Sequence, residues 1–284
     1  MYNSLTIDVE DYYMVSGFAD VIKFEDWPQF ESRIQRSTDT ILKLLAEHKV
    51  KATFFILGWV AENYPDTVRD IHVAGHEVAC HGYNHRLIYD LTPKQFGEDI
   101  RKAKMILEDI TGAPVIGYRA ASYSIIETTL WALDVLIDEG FLYDSSIFPI
   151  HHDRYGFPQA ARFPHTIERK RGIITEFPPS TCRVFGQNIP IAGGGYLRLF
   201  PFPFIRAAVK RINEIEKKPV ILYIHPWEID TNQPRIHGRR LACMRHYMNL
   251  SSTMSKLTSI LTMSKFQPLS MFLEPPAELI KNDI

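Results

Sequence analysis

Residues 51–80, "KATFFILGWVAENYPDTVRDIHVAGHEVAC", hold two short apolar runs separated by a helical pattern. The first run, "KATFFIL" (51–57), is rich in residues that favour strands, and "HEVAC" (76–80) is the second. Between them, "DTVRDIHVAG" (66–75) predicts a short helix that ends at Gly75. Strand, helix and strand in this order predict a βαβ unit with parallel strands.

The same alternation continues on both sides of this unit. A strand, "SLTIDVED" (4–11), precedes a helix over about 31–48. Further strands are predicted at "VIGYRA" (115–120), "FLYDSS" (141–146), "GIITEFP" (172–178) and "PVILYIH" (219–225). Further helices are predicted at 92–112, 127–140, about 202–216 and from Ser251. We therefore expect an α/β protein, either a barrel or an open sheet.

The helix over 92–112 has clear end signals. Thr92 is placed as its N-cap, Pro93 as its first residue and Gln95 as the partner in a capping box. Gly112 ends it. Two segments, 147–172 and 183–200, interrupt the alternation and are predicted to be long ordered loops that border a site.

The composition of the 284 residues is that of an ordinary globular protein, with 45% hydrophobic and 23% charged residues. The formal net charge of -1 argues against bulk binding to nucleic acid. Three cysteines without a CxxC spacing do not suggest a disulfide framework. The N-terminus lacks the pattern of a secretory signal, and no apolar run is long enough to span a membrane, so we expect a cytoplasmic or membrane-peripheral location.

Ligands of parallel α/β proteins bind at the carboxyl ends of the strands. Polar residues follow five of the predicted strands: Asp8, Glu10, Asp11, His81, His85, Arg119, Asp144 and His225. An isolated pair such as His81 and His85 is more often part of a solvated loop than of a metal site. Two imidazoles and one carboxylate, however, form a common ligand set for a divalent metal, and the first strand supplies the acid. We therefore favour a metal site.

Five motifs in this order resemble the polysaccharide deacetylases, the NodB-homology or carbohydrate esterase family 4 enzymes. They are "TIDVED" (6–11), "HGYNH" (81–85), "YRAASYS" (118–124), "YDSS" (143–146) and "YIHPWE" (223–228). The stretches "HHDRYG" (151–156), "GGGYLRLFP" (193–201) and "RHYMNL" (245–250) look closest to a subgroup from bacterial exopolysaccharide loci with the exosortase (PEP-CTERM) system. The resemblance runs from about residue 4 to residue 250.

The resemblance implies a distorted (β/α)7 barrel, with a catalytic domain over 1–230 and a C-terminal extension over 231–284 packed on it. It implies metal-dependent removal of acetyl groups from N-acetylated sugars of a bacterial polysaccharide, or of its lipid-linked or oligosaccharide precursor. The expected cofactor is a divalent metal, zinc by default, although cobalt or nickel would also suit. The expected partner is the N-acetylated saccharide itself.

The resemblance also implies a role for each motif residue. Asp8 would be the general base, Arg119 would orient it, and His225 would be the general acid. Asp144 would support Arg119 or His225. His81 and His85 would bind the metal, and the backbone at Ser122 and Tyr123 would help to hold the oxyanion. Aromatic side chains near the site, among them Trp227 and Tyr196, are candidates for stacking on sugar rings, although core packing explains many such residues equally well.

The third metal ligand stays open between two acids. The family commonly has two adjacent aspartates in its first motif, whereas Val9 and Glu10 separate Asp8 from Asp11 here. Strand alternation puts Glu10 on the face of Asp8, but a turn after the strand would bring in Asp11. We expect Asp11.

Competing interpretations use the same residues. A non-heme iron oxygenase needs the same ligand types, but strand–helix alternation disfavours its usual all-β fold. A small-molecule amidase of related fold and a non-catalytic carbohydrate-binding protein that keeps the deacetylase scaffold are also compatible with these motifs.

Overall fold

The computed structural model describes residues 1–152 and 154–273. Its strands are β1 (Tyr2–Val9), β2 (Thr53–Ile56), β3 (Glu77–Cys80), β4 (Gly117–Tyr118), β5 (Tyr143–Asp144), β6 (His165–Arg169), β7 (Gly172–Glu176), β8 (Thr181–Val184), β9 (Gln187–Pro190), β10 (Ile221–Ile224) and β11 (Lys265–Phe266). Its helices are α1 (Ile34–Glu47), α2 (Gly58–Asn63), α3 (Pro65–Val73), α4 (Pro93–Thr111), α5 (Trp131–Asp138), α6 (Gly195–Leu199), α7 (Phe202–Lys210), α8 (Arg240–Tyr247) and α9 (Thr253–Met263). The predicted α/β class is confirmed.

The main sheet has the strand order β10–β1–β2–β3–β4–β5–β7–β6, and β11 pairs with β1. All of its ladders are parallel except the one between β6 and β7. The carboxyl ends of β10, β1, β2, β3, β4, β5 and β7 therefore share one edge of the sheet. The strands β8 and β9 form a separate antiparallel hairpin.

An irregular segment lies along the free edge of β10. Ser180 donates its backbone N–H to the Ile221 carbonyl (3.1 Å), and Tyr223 donates to the carbonyl of Ala192 (2.7 Å). Gly193 forms a bridge with Tyr223, and a Cβ atom there would lie 1.6 Å from the Tyr223 carbonyl oxygen. Glycine at 193 thus permits contact between backbones, a role that the sequence alone did not assign to it.

Local signals at α4 are confirmed by its geometry. Gln95 donates its backbone N–H to Thr92 Oγ1 (3.3 Å), and the Thr92 N–H donates to Gln95 Oε1 (3.0 Å). Gly112 follows the helix with φ 65°, in the left-handed conformation. The apolar face of the helix, including Phe96 and Ile100, is fully buried.

The segments predicted as loops contain regular structure. Residues 165–169 form β6, which pairs antiparallel with β7 although the sequence around it is rich in Pro, His and Arg. Within 183–200, β9 and the short helix α6 are present. The predicted domain boundary at residue 230 stays a prediction, and residues 274–284 of the extension lie outside the described residues.

Candidate metal and catalytic site

Four parallel strands bring the polar residues to one edge of the sheet. β1 carries Asp8 and leads into Glu10, while β3, β4 and β10 each end directly before His81, Arg119 and His225. Because β10, β1, β2, β3 and β4 are consecutive in the sheet, residues far apart in sequence meet here. The site is thus built on the carboxyl ends of strands in the main sheet.

Glu10, His81 and His85 form a group that could hold a metal ion. One ligand atom from each lies within 4.8 Å of the others. The His81 Nδ1–H donates to the carbonyl oxygen of Arg119 (2.7 Å), and His85 Nδ1 lies 3.4 Å from Ser16 Oγ. A histidine whose Nδ1 is engaged by a protein group presents Nε2 to a metal. Both imidazoles therefore have the orientation of metal ligands.

The electrostatics of this group also fit a cation. Glu10 Oε2 is buried, has no hydrogen-bond donor among the described residues, and lies 3.2 Å from His85 Nε2. Burial lowers the pKa of His85 to about 4, despite the opposing charge of Glu10. Burial alone would raise the pKa of Glu10, but His85, His225 and His81 hold it at about 2. A carboxylate and a neutral imidazole facing each other favour a bound cation.

Asp11, the expected third ligand, faces elsewhere. Its Oδ1 accepts from the Tyr12 N–H (3.0 Å), and its Oδ2 accepts from Ser32 Oγ (2.8 Å) and the Arg33 N–H (2.7 Å). It therefore binds the N-terminus of α1, where a negative charge is favourable. Burial raises its pKa to about 6, against these hydrogen bonds. The turn after β1 carries Asp11 away from the histidines, and Glu10, the second candidate, occupies the third corner.

Asp8 and Arg119 form a buried ion pair. Arg119 Nη1 lies 2.6 Å from Asp8 Oδ1 and also donates to Thr6 Oγ1 (2.7 Å). Arg119 Nε donates to the Ser145 carbonyl (3.1 Å), and Arg119 Nη2 donates to Ser145 Oγ (2.8 Å). The guanidinium also lies over the Phe55 ring, 4.1 Å from its centroid. These contacts fix Arg119 in one position, and with it the Asp8 carboxylate.

Asp144 does not contact Arg119 or His225 by hydrogen bond or ion pair in the described structure. It accepts from Ser146 Oγ and the Ser146 N–H, and it pairs with Glu176. Burial raises the pKa of Asp144 to about 6 and, together with the Asp144 charge, raises that of Glu176 well above its ordinary value. The two buried carboxyl groups hold a proton between them. The expected support of Arg119 comes from the adjacent Ser145.

The partner of His225 is Glu228, which the sequence interpretation did not single out. His225 Nδ1 lies 2.6 Å from Glu228 Oε1, and Glu228 Oε2 accepts from Arg198 Nε (2.8 Å). His225 Nε2 lies 3.0 Å from Glu10 Oε1 and 3.8 Å from Asp8 Oδ2. Burial opposes the charged imidazole, but Glu10 and Glu228 raise the pKa of His225 to about 10. Glu228 lies three residues after His225 in a single helical turn. This spacing in the sequence could have indicated that the two side chains make contact.

A cavity of about 510 Å³ opens over these groups. Ser122, Tyr123 and Trp227 line it, whereas Tyr196 interacts with the lining residue Tyr155 and is not itself among the lining residues. Ser122 and Tyr123 have φ values of 49° and 53°, which is strained for non-glycine residues. The Tyr123 N–H already donates to the Ala120 carbonyl (3.1 Å).

Parts of the chain match known protein families and relatives. Residues 20–136 match the family model "Polysaccharide deacetylase", and residues 145–274 match a domain of unknown function, DUF3473. A peptidoglycan deacetylase of Helicobacter pylori is 33% identical over 113 residues, which is 40% of this chain and 37% of that protein. A chitooligosaccharide deacetylase of Bradyrhizobium is 29% identical over 127 residues, 44% of this chain and 53% of that protein. The matches thus span about half or less of these relatives.

Solved structures support the fold. A crystal structure from Mycobacterium smegmatis, assigned as a polysaccharide deacetylase, covers 97% of this chain and 94% of its own with a TM-score of 0.57 and 23% identity. The structure of Puue allantoinase covers 88% of this chain and 84% of its own with a TM-score of 0.56 and 18% identity. At these identities the likeness concerns the fold, a NodB-type α/β architecture. No helix within the described ranges is long and apolar enough to cross a membrane.

Proposed function

We propose that the protein is a metal-dependent hydrolase that removes acetyl groups from N-acetylated sugars. The premise is membership of the polysaccharide deacetylase family, which the match of residues 20–136 and the two relatives support. One observation carries the proposal. Asp8, the cluster of Glu10, His81 and His85, and His225 all line a single cavity, and buried Arg119 holds Asp8 from behind its lining. Base, metal ligands and acid are the groups that amide hydrolysis requires.

Glu10, His81 and His85 would hold the metal. Two histidines and one carboxylate leave coordination positions open for water and substrate, and zinc is an ion that hydrolases bind with such a set. A divalent cation there would lower the pKa of water and polarise the acetyl carbonyl. Of the two acids considered for the third ligand, Glu10 faces the histidines and Asp11 does not, so Glu10 replaces Asp11 in this assignment.

Asp8 would accept the proton of the attacking water. Arg119 is buried beside it and fixes its position, because Arg119 Nη1 donates to Asp8 Oδ1 (2.6 Å). Fixing Asp8 through Arg119 and Ser145 also orients its free oxygen towards the cavity, on the side of His225. A base held in this way loses little entropy on reaching the transition state.

His225 would donate the proton that the departing amine needs. Glu10 and Glu228 raise the pKa of this imidazole, which favours the protonated form that an acid must have. Glu228 accepts from Nδ1–H and leaves Nε2–H directed at Glu10 and Asp8, the side on which the amide must lie. An amine leaves poorly unless it is protonated, so this transfer is a required step.

Several finer points stay predictions of this proposal. They are the bacterial exopolysaccharide as the substrate, the exosortase-associated subgroup, zinc as the metal, and a cytoplasmic or membrane-peripheral location. The Helicobacter and Bradyrhizobium relatives are named for action on peptidoglycan and chitooligosaccharides, both of which contain N-acetylated sugars. That shared chemistry supports an N-acetyl sugar as the substrate class.

The test is acetate release by the zinc-loaded full chain from a panel of N-acetylglucosamine oligomers, with and without chelator. We expect release that stops with chelator and returns with zinc. Asp8→Asn should keep its zinc and lose at least about 100-fold in turnover, while Asp70→Asn on the surface of α3 serves as the matched control. Full turnover by Asp8→Asn would refute the base assignment. Saccharide binding without any acetate release would favour a carbohydrate-binding protein, and turnover of allantoin alone would favour the small-molecule amidase.

A further inference from the structure

His246, near the end of α8, is a buried histidine in the wall of the cavity over the candidate site. It is 5% exposed and belongs to residues 145–274, which match the domain of unknown function. Its ring is stacked on the indole of Trp227, with 4.0 Å between centroids and 13° between planes, and it packs against Phe18 (5.0 Å). Trp227 is stacked in turn on His225 (5.2 Å), the proposed acid. Trp227 thus links His246 to the catalytic end of the cavity.

The side chain of Gln233 determines which nitrogen of His246 carries the hydrogen. Gln233 Nε2 lies 2.8 Å from the Trp227 carbonyl oxygen and 2.9 Å from the Asp230 carbonyl oxygen. Only the NH2 end of an amide can donate to two carbonyl oxygens, so the end that faces His246 Nε2 (2.8 Å) is Gln233 Oε1. That oxygen can only accept, and His246 Nε2 therefore bears the hydrogen.

The second ring nitrogen of His246, Nδ1, is left as an acceptor. Burial and the nearby charge of Arg198 lower the pKa of His246 to about 3, which favours the neutral imidazole, with a lone pair on Nδ1. No residue in the described ranges donates to this nitrogen. Gln233 is not among the residues that line the cavity, so Nε2 points away from it and the rest of the ring, with Nδ1, provides the lining. Buried polar atoms nearly always have a hydrogen-bond partner, and here the cavity is the place from which a donor can come.

We propose that His246 Nδ1 accepts a hydrogen bond from a hydroxyl group of the bound saccharide and thereby selects sugars in which this hydroxyl is unsubstituted. The inference rests on the proposed deacetylase function and adds a specificity-determining residue to it. A sugar whose N-acetyl group lies at the metal cluster and His225 places this hydroxyl beyond Trp227. A methylated or acylated oxygen has no hydrogen to donate and would face a lone pair on Nδ1, so the site rejects it.

The first experiment measures binding. Calorimetry on the zinc-loaded full chain with Asp8→Asn, which prevents turnover, compares the N-acetylglucosamine dimer with dimers that each lack one hydroxyl group. We expect one of these deoxy dimers to bind about tenfold more weakly than the complete dimer, which is the usual loss for one hydrogen bond. Adding His246→Phe keeps a ring against Trp227 but removes the acceptor, so both dimers should then bind equally. His237→Phe, the same exchange at an exposed histidine outside the cavity lining, should leave the discrimination unchanged.

A second measurement does not depend on the folding of the His246→Phe protein. Nitrogen NMR of the histidine-labelled Asp8→Asn protein reports on the ring nitrogens of His246 directly. We expect an unprotonated Nδ1 whose resonance shifts when the complete dimer is added and stays in place when the weakly bound deoxy dimer is added. A protonated Nδ1, or a resonance that does not respond while the complete dimer binds, would overturn the proposal.

Kinetics separate this inference from the proposed function. In kcat/KM for acetate release, the wild type should prefer the complete dimer about tenfold, and His246→Phe should show no preference. Equal losses of His246→Phe on every dimer would show that His246 only packs against Trp227, and they would leave the deacetylase function intact. Discrimination in binding without acetate release from any dimer would refute the proposed function and retain His246 as a saccharide contact. Failure of every dimer to bind would contradict both.

Discussion

Arg198 and Glu228 form a buried ion pair whose removal has a calculable cost. Arg198 is 2% exposed and Glu228 is fully buried, and their side chains meet at 2.8 Å. Arg198→Met leaves the carboxylate with His225 as its partner and removes the donor to the carbonyls at the end of α8. Loss of one partner from such a pair costs about 3–5 kcal/mol. With an unfolding entropy of about 2.1 cal/mol/K per residue, that corresponds to a fall of roughly 5–8 °C in the melting temperature of this chain.

A double-mutant cycle separates the pair from its surroundings. Glu228→Gln is expected to cost less than Arg198→Met, because the amide oxygen can still accept from Arg198 Nε. The double variant should be more stable than the sum of the single losses predicts, by about 2 kcal/mol or more. Unfolding in urea gives the free energy of unfolding of the wild type, the two single variants and the double variant. Strictly additive losses would refute the view that these two charges stabilise each other.

The same cycle has a catalytic readout. Without the Glu228 charge the pKa of His225 falls towards its ordinary value, since Glu228 is one of the groups that raise it. Glu228→Gln should therefore lower kcat for acetate release about tenfold while zinc content is retained. A lost zinc equivalent would show that Glu228 acts on the metal cluster instead, and an unchanged kcat would show that it does not position His225.

Three further predictions concern stability. Gly193→Ala should destabilise the protein by about 2 kcal/mol or more, because the new Cβ would overlap the Tyr223 carbonyl. Gly195→Ala is the control and should be neutral, because open space surrounds that position. Equal urea midpoints for the two variants would contradict this prediction. Burial lowers the pKa of His76 from 6.5 to about 4, so the unfolded chain binds the extra proton and stability falls as the pH drops from 6.5 towards 4. His76→Gln should therefore show a smaller difference between urea midpoints at pH 7.5 and pH 5, and an unchanged difference would refute the cause. Phe96→Ala, at a fully buried position in α4, should cost about 3–5 kcal/mol without loss of zinc, and a cost below 1 kcal/mol would contradict its place in the core.

The parts of the fold that local physics specifies were predictable from the sequence. Apolar runs bounded by turn residues located the parallel strands, and Thr92, Gln95 and Gly112 located both ends of α4. The segment 165–169 was not predictable in this way. It becomes a strand because it pairs with β7 across a short turn, and its own residues alternate between exposed and half-buried positions.

In the candidate site, too, some residues could be predicted from local sequence and others could not. Strand ends identified Asp8, His81, His85, Arg119 and His225, because a parallel sheet brings these ends together regardless of loop details. The choice between two acids after β1 depended on a turn that no local pattern specifies.

The partners of the site residues depend on tertiary packing. Asp144 was expected to support Arg119 or His225, but Ser145 and Glu228 have those positions. Arg198 reaches Glu228 from a segment 30 residues away in the chain, a contact that sequence spacing does not indicate.

The central claim is that Glu10, His81 and His85 hold a catalytic metal. The most direct test is the zinc content of Glu10→Gln and Asp11→Asn proteins, purified in parallel and measured together with acetate release. We predict that Glu10→Gln loses its zinc and its activity, whereas Asp11→Asn keeps a full equivalent of zinc and remains active. Retention of zinc by Glu10→Gln with loss by Asp11→Asn would contradict the assignment.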